Sequence, residues 1–190
     1  VTRPTTEQAE FGEVEVRRWA AEDAEELRDV IMGSAERLRP RLPWVDEWFA
    51  DDYDAIGKIA EWNDKWDAGA DRHFGVFIED MVVGAAGLHD RLGPDGLELG
   101  YWLADGWTGQ GIMTIAAGLL TDLAFVDLDI GHLRIIHDVT NVPSAGVPRR
   151  LGFTLLGDRE ATGMRAPDDV GIDCLWELQR ADWSGYASLA

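Results

Sequence analysis

The segment Gly106-Trp107-Thr108-Gly109-Gln110-Gly111-Ile112-Met113-Thr114 joins residue types and spacing that can do chemistry. Glycines let a backbone turn tightly and let a ligand come close to it. The helix predicted to follow opens with unpaired N–H groups and the positive end of its dipole. Together these make an anion site suited to a pyrophosphate. Taken alone, the same residues also describe a simple strand-to-helix turn. Neither common nucleotide loop is present. No Gly-Lys-Ser/Thr follows, which excludes a P-loop. The pattern Gly106-x-x-Gly109-x-Gly111 lacks the G-x-G-x-x-G spacing of a dinucleotide fold. There is no Lys or Arg between Arg91 and Arg134. Phosphates held here must therefore rely on backbone N–H groups and the helix dipole, with Arg149 and Arg150 as the next cations.

A second cluster lies upstream. Trp44 and Trp48 stand among Asp46, Glu47, Asp51, Asp52 and Asp54. Aromatic walls with acidic neighbours suit a cationic amine or a peptide N-terminus. The pattern equally describes a solvated acidic face with its tryptophans packed inward. Other chemistries find no pattern. His73, His89, His132 and His137 are scattered without ligand spacing, so no metal is expected. Cys174, the one cysteine, sits in the apolar run Ile172-Asp173-Cys174-Leu175-Trp176 and reads as inert packing. It leaves no intrachain disulfide framework and no cysteine zinc cluster. A G-x-S-x-G nucleophile turn is absent.

Both clusters need a frame. Val14 and Val16 alternate with charged residues as a strand does. Ala24, Leu27 and Ile31 recur at helical spacing behind an acidic first turn, Glu22 and Asp23. A second amphipathic helix is predicted from Asp54 to Trp66, with Ile56, Ile59, Ala60 and Asn63 on one side. Phe74 to Ile78 and Met81 to Leu88 read as strands joined by a tight turn at Glu79 and Asp80. Leu97 to Leu103 is a strand ahead of the glycine turn, and Ile112 to Phe125 is a long helix. His132 to Val139 (strand), Asn141 to Arg150 (short helix), Phe153 to Asp158 and Ile172 to Leu178 (strands) complete an α+β order with one strand–helix–strand crossover.

The whole chain bounds the answer. Its 190 residues fit one domain, 1–190, with residues 1–12 expected to be disordered. A formal net charge of -19 repels nucleic acid and favours cationic partners. No apolar run is long enough to span a bilayer. Val1 to Glu10 has no apolar signal core, so a cytoplasmic protein is expected.

Read in order, the blocks resemble a known family. Leu99-Gly100-Tyr101-Trp102-Leu103, followed by Gly109-Gln110-Gly111-Ile112-Met113-Thr114, resembles the acetyl-CoA signature of RimJ/RimL-type enzymes in the GNAT superfamily of N-acetyltransferases. Asn141-x-x-Ser144 and Leu151-Gly152-Phe153 resemble the family's next block. Val14 to Leu27 is similar to its first strand and helix, Leu42-Pro43-Trp44 to its substrate-side segment, and Gly171 to Trp183 to its last strand. Two positions depart. The wider superfamily usually has Gln or Arg where Thr108 stands, and Gly or Ala where Met113 stands. Pro148 should also free the carbonyl of Ser144 or kink the short helix.

The resemblance implies the GNAT fold, a mixed central sheet flanked by helices. It implies acetyl-CoA as co-substrate, no metal, and contacts from Leu99, Tyr101, Thr108, Gly109, Gln110, Gly111, Ile112, Met113, Thr114 and Asn141. It further implies transfer of acetyl to the terminal α-amine of a protein or peptide by direct attack. A small-molecule amine, or a non-catalytic acyl-CoA-binding module, is the alternative, and a homodimer is left open. Such transfer needs a neutral amine, a donor for the oxyanion and a proton for the leaving thiolate. The resemblance offers Glu98 as base and Ser144 as acid. Strand alternation alone does not choose the face of Glu98, and Ser144 reads equally as a capping hydroxyl. Tyr53, Tyr101 and Tyr186 do not fall in the Asn141 block. Trp44 and Trp48 are the substrate-side candidates.

Overall fold

The computed structural model of the chain describes residues 7–162 and 164–189. Two N-terminal strands, β1 (Gln8–Phe11) and β2 (Val14–Arg18), lead into helices α1 (Ala24–Gly33), α2 (Ala35–Leu38) and α3 (Ala55–Asp67). A meander of β3 (Arg72–Ile78), β4 (Met81–His89) and β5 (Gly96–Leu103) follows. Helix α4 (Ile112–Asp122) then crosses over to β6 (His132–Asp138). Helix α5 (Val142–Arg150) and strands β7 (Thr154–Glu160) and β8 (Ile172–Gln179) come last. The predicted order of elements is therefore observed, with β1 and α2 added. The disorder expected for residues 1–12 does not extend to Gln8–Phe11, whose backbone is tied to β2; residues 1–6 lie outside the described residues. No helix is long and apolar enough to cross a membrane among the described residues.

The strands form one sheet in the order β1-β2-β3-β4-β5-β6-β8-β7. All neighbours are antiparallel except β5 and β6. A parallel pair needs a crossover connection, and α4 supplies it. One face carries the larger core, where Leu97 and Leu99 of β5 meet Ala116, Leu119 and Leu120 of α4. The other face carries α1 to α3 over Trp19, Phe77 and Val82. Leu27 and Ile31 face inward as their spacing requires. In α3 the expected face is rotated: Ile59 is buried but Ile56 is exposed. The tryptophans of α3 explain the rotation, since Trp62 and Trp66 are larger and take the inner positions against Trp19 and Phe74.

One irregularity of the sheet shapes the site. Strands β5 and β6 pair only at Gly96/His132, Leu97/Leu133 and Glu98/Arg134. Beyond that point Leu99 to Leu103 stay with β4, while Ile135 to Asp138 stay with β8. The two strands part, and a wedge opens in the middle of the sheet. Main-chain groups on its two walls lack each other as partners and can accept a ligand's hydrogen bonds.

Candidate active site

The glycine turn lies at the mouth of this wedge. Gly106, Gly109 and Gly111 have φ of 83°, 76° and 84°. Side chains rarely adopt such angles, so glycine is required here by the backbone itself. Gly111 is the residue from which α4 starts. Gln110 Nε2 donates to the Gly106 carbonyl at 2.7 Å and ties the loop to itself. Arg37 holds the other end, bonding the Leu103 carbonyl and pairing with Asp105. The N–H of Asp105 donates to Ser34 Oγ, which is buried. Thr108, Gly109, Gln110 and Gly111 are exposed, whereas Leu99, Ile112 and Met113 are buried. The last three can therefore reach a ligand through their backbone, and their side chains belong to the core.

Across the wedge, Pro148 inside α5 has no N–H to give to the Ser144 carbonyl. Tyr101 Oη donates to that carbonyl instead, at 3.0 Å. Ser144 Oγ in turn donates to Tyr101 Oη at 3.3 Å. Tyr101, which its place in the sequence had set apart from the Asn141 block, is thus brought onto it by the fold. Burial pushes its phenol well above the ordinary tyrosine value, so the group stays protonated. Asn141 stands at the helix start, but its side chain makes no capping hydrogen bond. Arg149 lies over the Trp176 ring at 5.8 Å.

The opposite face of β5 looks into a cleft of about 970 Å³. Alternation from the buried Leu97 and Leu99 sends Glu98, Gly100 and Trp102 there, which answers the question of the Glu98 face. Arg91 pairs with Glu98 Oε1. Trp44 and Trp48 both line the cleft. Trp48 is 2% exposed and packs on Tyr53 and Trp62, while Trp44 leans on Trp102. Of the acidic residues around them, Glu47 reaches the cleft. Asp46 pairs with Arg39 and Asp54 caps α3. The acidic wall expected from sequence is therefore mostly turned away from the cleft. Lys58 and Lys65 also border it.

Sequence spacing did not group the histidines, but the sheet groups two of them. Donor atoms of Asp71, His73 and His89 lie within 4.8 Å of one another at the cleft. This overturns the reading of all four as scattered. Asp71 is already committed: Oδ1 accepts the Asp90 N–H at 2.9 Å and Oδ2 stands 3.3 Å from His89 Nδ1. The His89 contact holds the Asp71 carboxyl well below the usual carboxylate range. His73 stacks on Trp62, with ring centroids 4.8 Å apart. Burial, and after it the nearby His89, pushes the His73 imidazole down to about 4.

A consequence for stability follows. The unfolded chain takes up a proton at His73 below the ordinary value of 6.5, and the folded chain does so only near 4. The contribution of His73 to stability is complete above the first value, declines as pH falls between the two, and levels off below the second. The decline amounts to about 3 kcal/mol. Urea unfolding at pH 7 and pH 4.5 should show it in the wild type and show less of it in His73→Phe. Equal losses in both would contradict the assignment. Cys174, pushed up to about 11 by burial and by Asp158, keeps its thiol at neutral pH and offers no thiolate nucleophile.

Comparison with known proteins places this geometry. A family model described as an acetyltransferase (GNAT) domain matches residues 13–154. The chain is 28% identical over 180 residues to YdaF of Bacillus subtilis (strain 168), provisionally named a ribosomal N-acetyltransferase; the match covers 90% of this chain and 94% of that protein. Among solved structures, a ribosomal-protein-S5-alanine acetyltransferase from Vibrio fischeri superposes with a TM-score of 0.81 at 20% identity, covering 93% of this chain and 98% of that one. The ribosomal L7/L12 α-N-protein acetyltransferase RimL, solved with coenzyme A, gives 0.80 at 19% identity, covering 89% and 95%. With the wedge, the glycine turn and the family match over most of its length, the chain belongs to the GNAT acetyltransferases and is an N-acetyltransferase.

Proposed function

We propose that this enzyme transfers acetyl from acetyl-CoA to the terminal α-amine of a peptide or protein, through a single domain spanning residues 1–190. The observation that carries the reading is the parting of β5 from β6 at Glu98/Arg134, directly ahead of the glycine turn. A pyrophosphate at the first turn of α4, at Gln110 to Thr114, leaves the rest of the co-substrate leading toward the wedge. There the free main chain of Leu99 to Leu103 can bond an amide-bearing arm as a strand would. RimL, of like fold, was solved with coenzyme A. At the far end of the arm, Tyr101 stands ready to protonate the leaving thiolate, with Ser144 as its hydrogen-bond partner. The sequence assigned that proton to Ser144 itself; a serine hydroxyl supports it better by orienting a phenol than by ionising.

The acceptor enters from the Trp44–Trp48 side. A cleft of about 970 Å³ is at the upper end of single-ligand pockets and has room for several peptide residues. Glu98 Oε2, the oxygen opposite the one paired with Arg91, can receive an ammonium. An α-amine ionises at about 7.7–8.0 and a lysine side chain near 10.4. An appreciable share of α-amines is therefore neutral at pH 7, and modest help suffices to deprotonate the rest. The names of related proteins, which include ribosomal-protein acetyltransferases, point the same way. Peptides with free and with blocked N-termini, offered in competition with polyamines and aminoglycosides, test the reading. Specificity constants should favour the free α-amine by at least about tenfold. A preference for the small amines, or acetylation confined to lysine side chains, would reject it.

A further inference from the structure

We propose that His89, held by Asp71, is the group that takes the proton from the acceptor amine. The inference rests on the acetyl-transfer reading above and adds the proton path within it.

His89 ends β4 and is the cross-strand neighbour of Glu98. Its Nε2 lies over two glycines on the cleft floor. A side-chain carbon built on Gly87 would sit 2.9 Å from that nitrogen, and one built on Gly100 3.4 Å from it. Gly100 belongs to the stretch of β5 that has already left β6. Nε2 is therefore stationed on the acceptor side of the sheet where the wedge opens, within the same cleft as Glu98 and Trp44.

The other nitrogen is held from behind. Nδ1 is shielded from water and faces Asp71 Oδ2 at 3.3 Å, at an angle short of a well-formed hydrogen bond. Asp71 is fixed by the Asp90 N–H. A carboxylate behind Nδ1 keeps the proton on that nitrogen and leaves the lone pair on Nε2.

The neighbouring His73 and Glu98 fit this division of labour. His73 from β3 packs edge-on against His89 at 5.1 Å. Neutral down to about pH 4, it is a weaker base than an ordinary imidazole and adds no competing charge near neutrality. Glu98 from β5 is paired with Arg91 through Oε1, and its other oxygen is left to meet an ammonium. Lys58 and Lys65 of α3 line the same cleft and are each paired with Glu61; Glu47, Arg159 and Asp173 complete its charged lining.

An acceptor ammonium gives one proton to His89 Nε2. Its nitrogen lone pair then forms the C–N bond at the thioester carbon. The electrons of the C–S bond leave on sulfur. A second N–H proton is lost to solvent, and Tyr101 supplies one to the thiolate and is reprotonated from solvent. His89 returns its proton to solvent, so one proton is released for each ammonium acetylated.

The test has two readouts. The first is the pH profile of kcat/KM for wild type, His89→Gln, Asp71→Asn and Glu98→Gln with one peptide α-amine, each variant checked for an unchanged melting temperature. His89→Gln should lower kcat/KM at pH 7 by about 100-fold and lose an ascending limb of the profile. Asp71→Asn should lower kcat by about tenfold with acetyl-CoA affinity unchanged. Glu98→Gln should raise KM and keep the limb. The second readout needs no acceptor: the ¹⁵N shifts of neutral His89 should report the proton on Nδ1, and lose that preference in Asp71→Asn. A neutral His89 carrying its proton on Nε2, or a His89→Gln enzyme with an unaltered profile, overturns the proposal. Failure of every amine to accept acetyl, with the Nδ1 proton in place, instead tells against the acetyl-transfer reading.

Discussion

Gly111→Glu is expected to lower the affinity for acetyl-CoA by at least about 100-fold. Two costs add. The residue has φ of 84°, and a side chain in that left-handed region costs roughly 1–2 kcal/mol. Nothing within 4 Å obstructs a new Cβ, so the fold should accommodate the change sterically. The larger cost is electrostatic. A carboxylate about 4 Å from a phosphate, at the effective dielectric of a protein surface, repels it by about 4 kcal/mol. No lysine or arginine between Arg91 and Arg134 is available to offset it. Gly111→Ala carries only the conformational cost and should weaken binding about tenfold. Titration calorimetry with acetyl-CoA separates the two. Undiminished affinity in Gly111→Glu would show that the pyrophosphate lies elsewhere.

Tyr101→Phe is expected to reduce kcat by about 100-fold or more, the usual loss on removing a general acid. Acetyl-CoA affinity should change only a few-fold, because the phenol acts on a thiolate that exists only late in the reaction. Ser144→Ala should cost less than about tenfold, since its hydroxyl reaches sulfur only through Tyr101 in this arrangement. The Phe variant also leaves the Ser144 carbonyl without its donor. A penalty of about 1–3 kcal/mol in stability is therefore expected, and kinetics must be compared well below the melting temperature. A kcat within twofold of the wild type would remove Tyr101 from the mechanism and return the proton to Ser144 or to water.

The sequence by itself determined much of this protein, for local reasons. Alternation at Val14 and Val16, helical spacing at Ala24, Leu27 and Ile31, and the Glu79-Asp80 turn each record a backbone preference that neighbours in sequence express. The anion site at Gly106 to Thr114 was legible because positive φ and a helix start leave glycines behind. Ser144 and Pro148 were likewise legible as a pair, since Pro148 must release the carbonyl of the residue four before it.

What answers that carbonyl was decided by the tertiary structure. Tyr101 lies 43 residues away, on a strand whose departure from β6 depends on long-range pairing with β4 and β8. The acidic residues beside Trp44 looked like a cationic-substrate wall, yet Arg39 and the start of α3 claim two of them; only packing reveals such partners. The histidines make the point most sharply. A two-residue turn at Glu79-Asp80 pairs Ile78 with Met81 and Phe77 with Val82. Continued without interruption, that register would put His73 and His89 on opposite faces of the sheet, because side chains alternate. A bulge between Val76 and Phe77 shifts the register, so that Val76 faces Gly84 and His73 faces Gly87. One extra residue in β4 thereby turns His89 to the same face as His73. Val83, the residue inserted, is fully buried in the core on the α4 side. No local pattern marks that insertion, because it shows only in the pairing of β4 with β3.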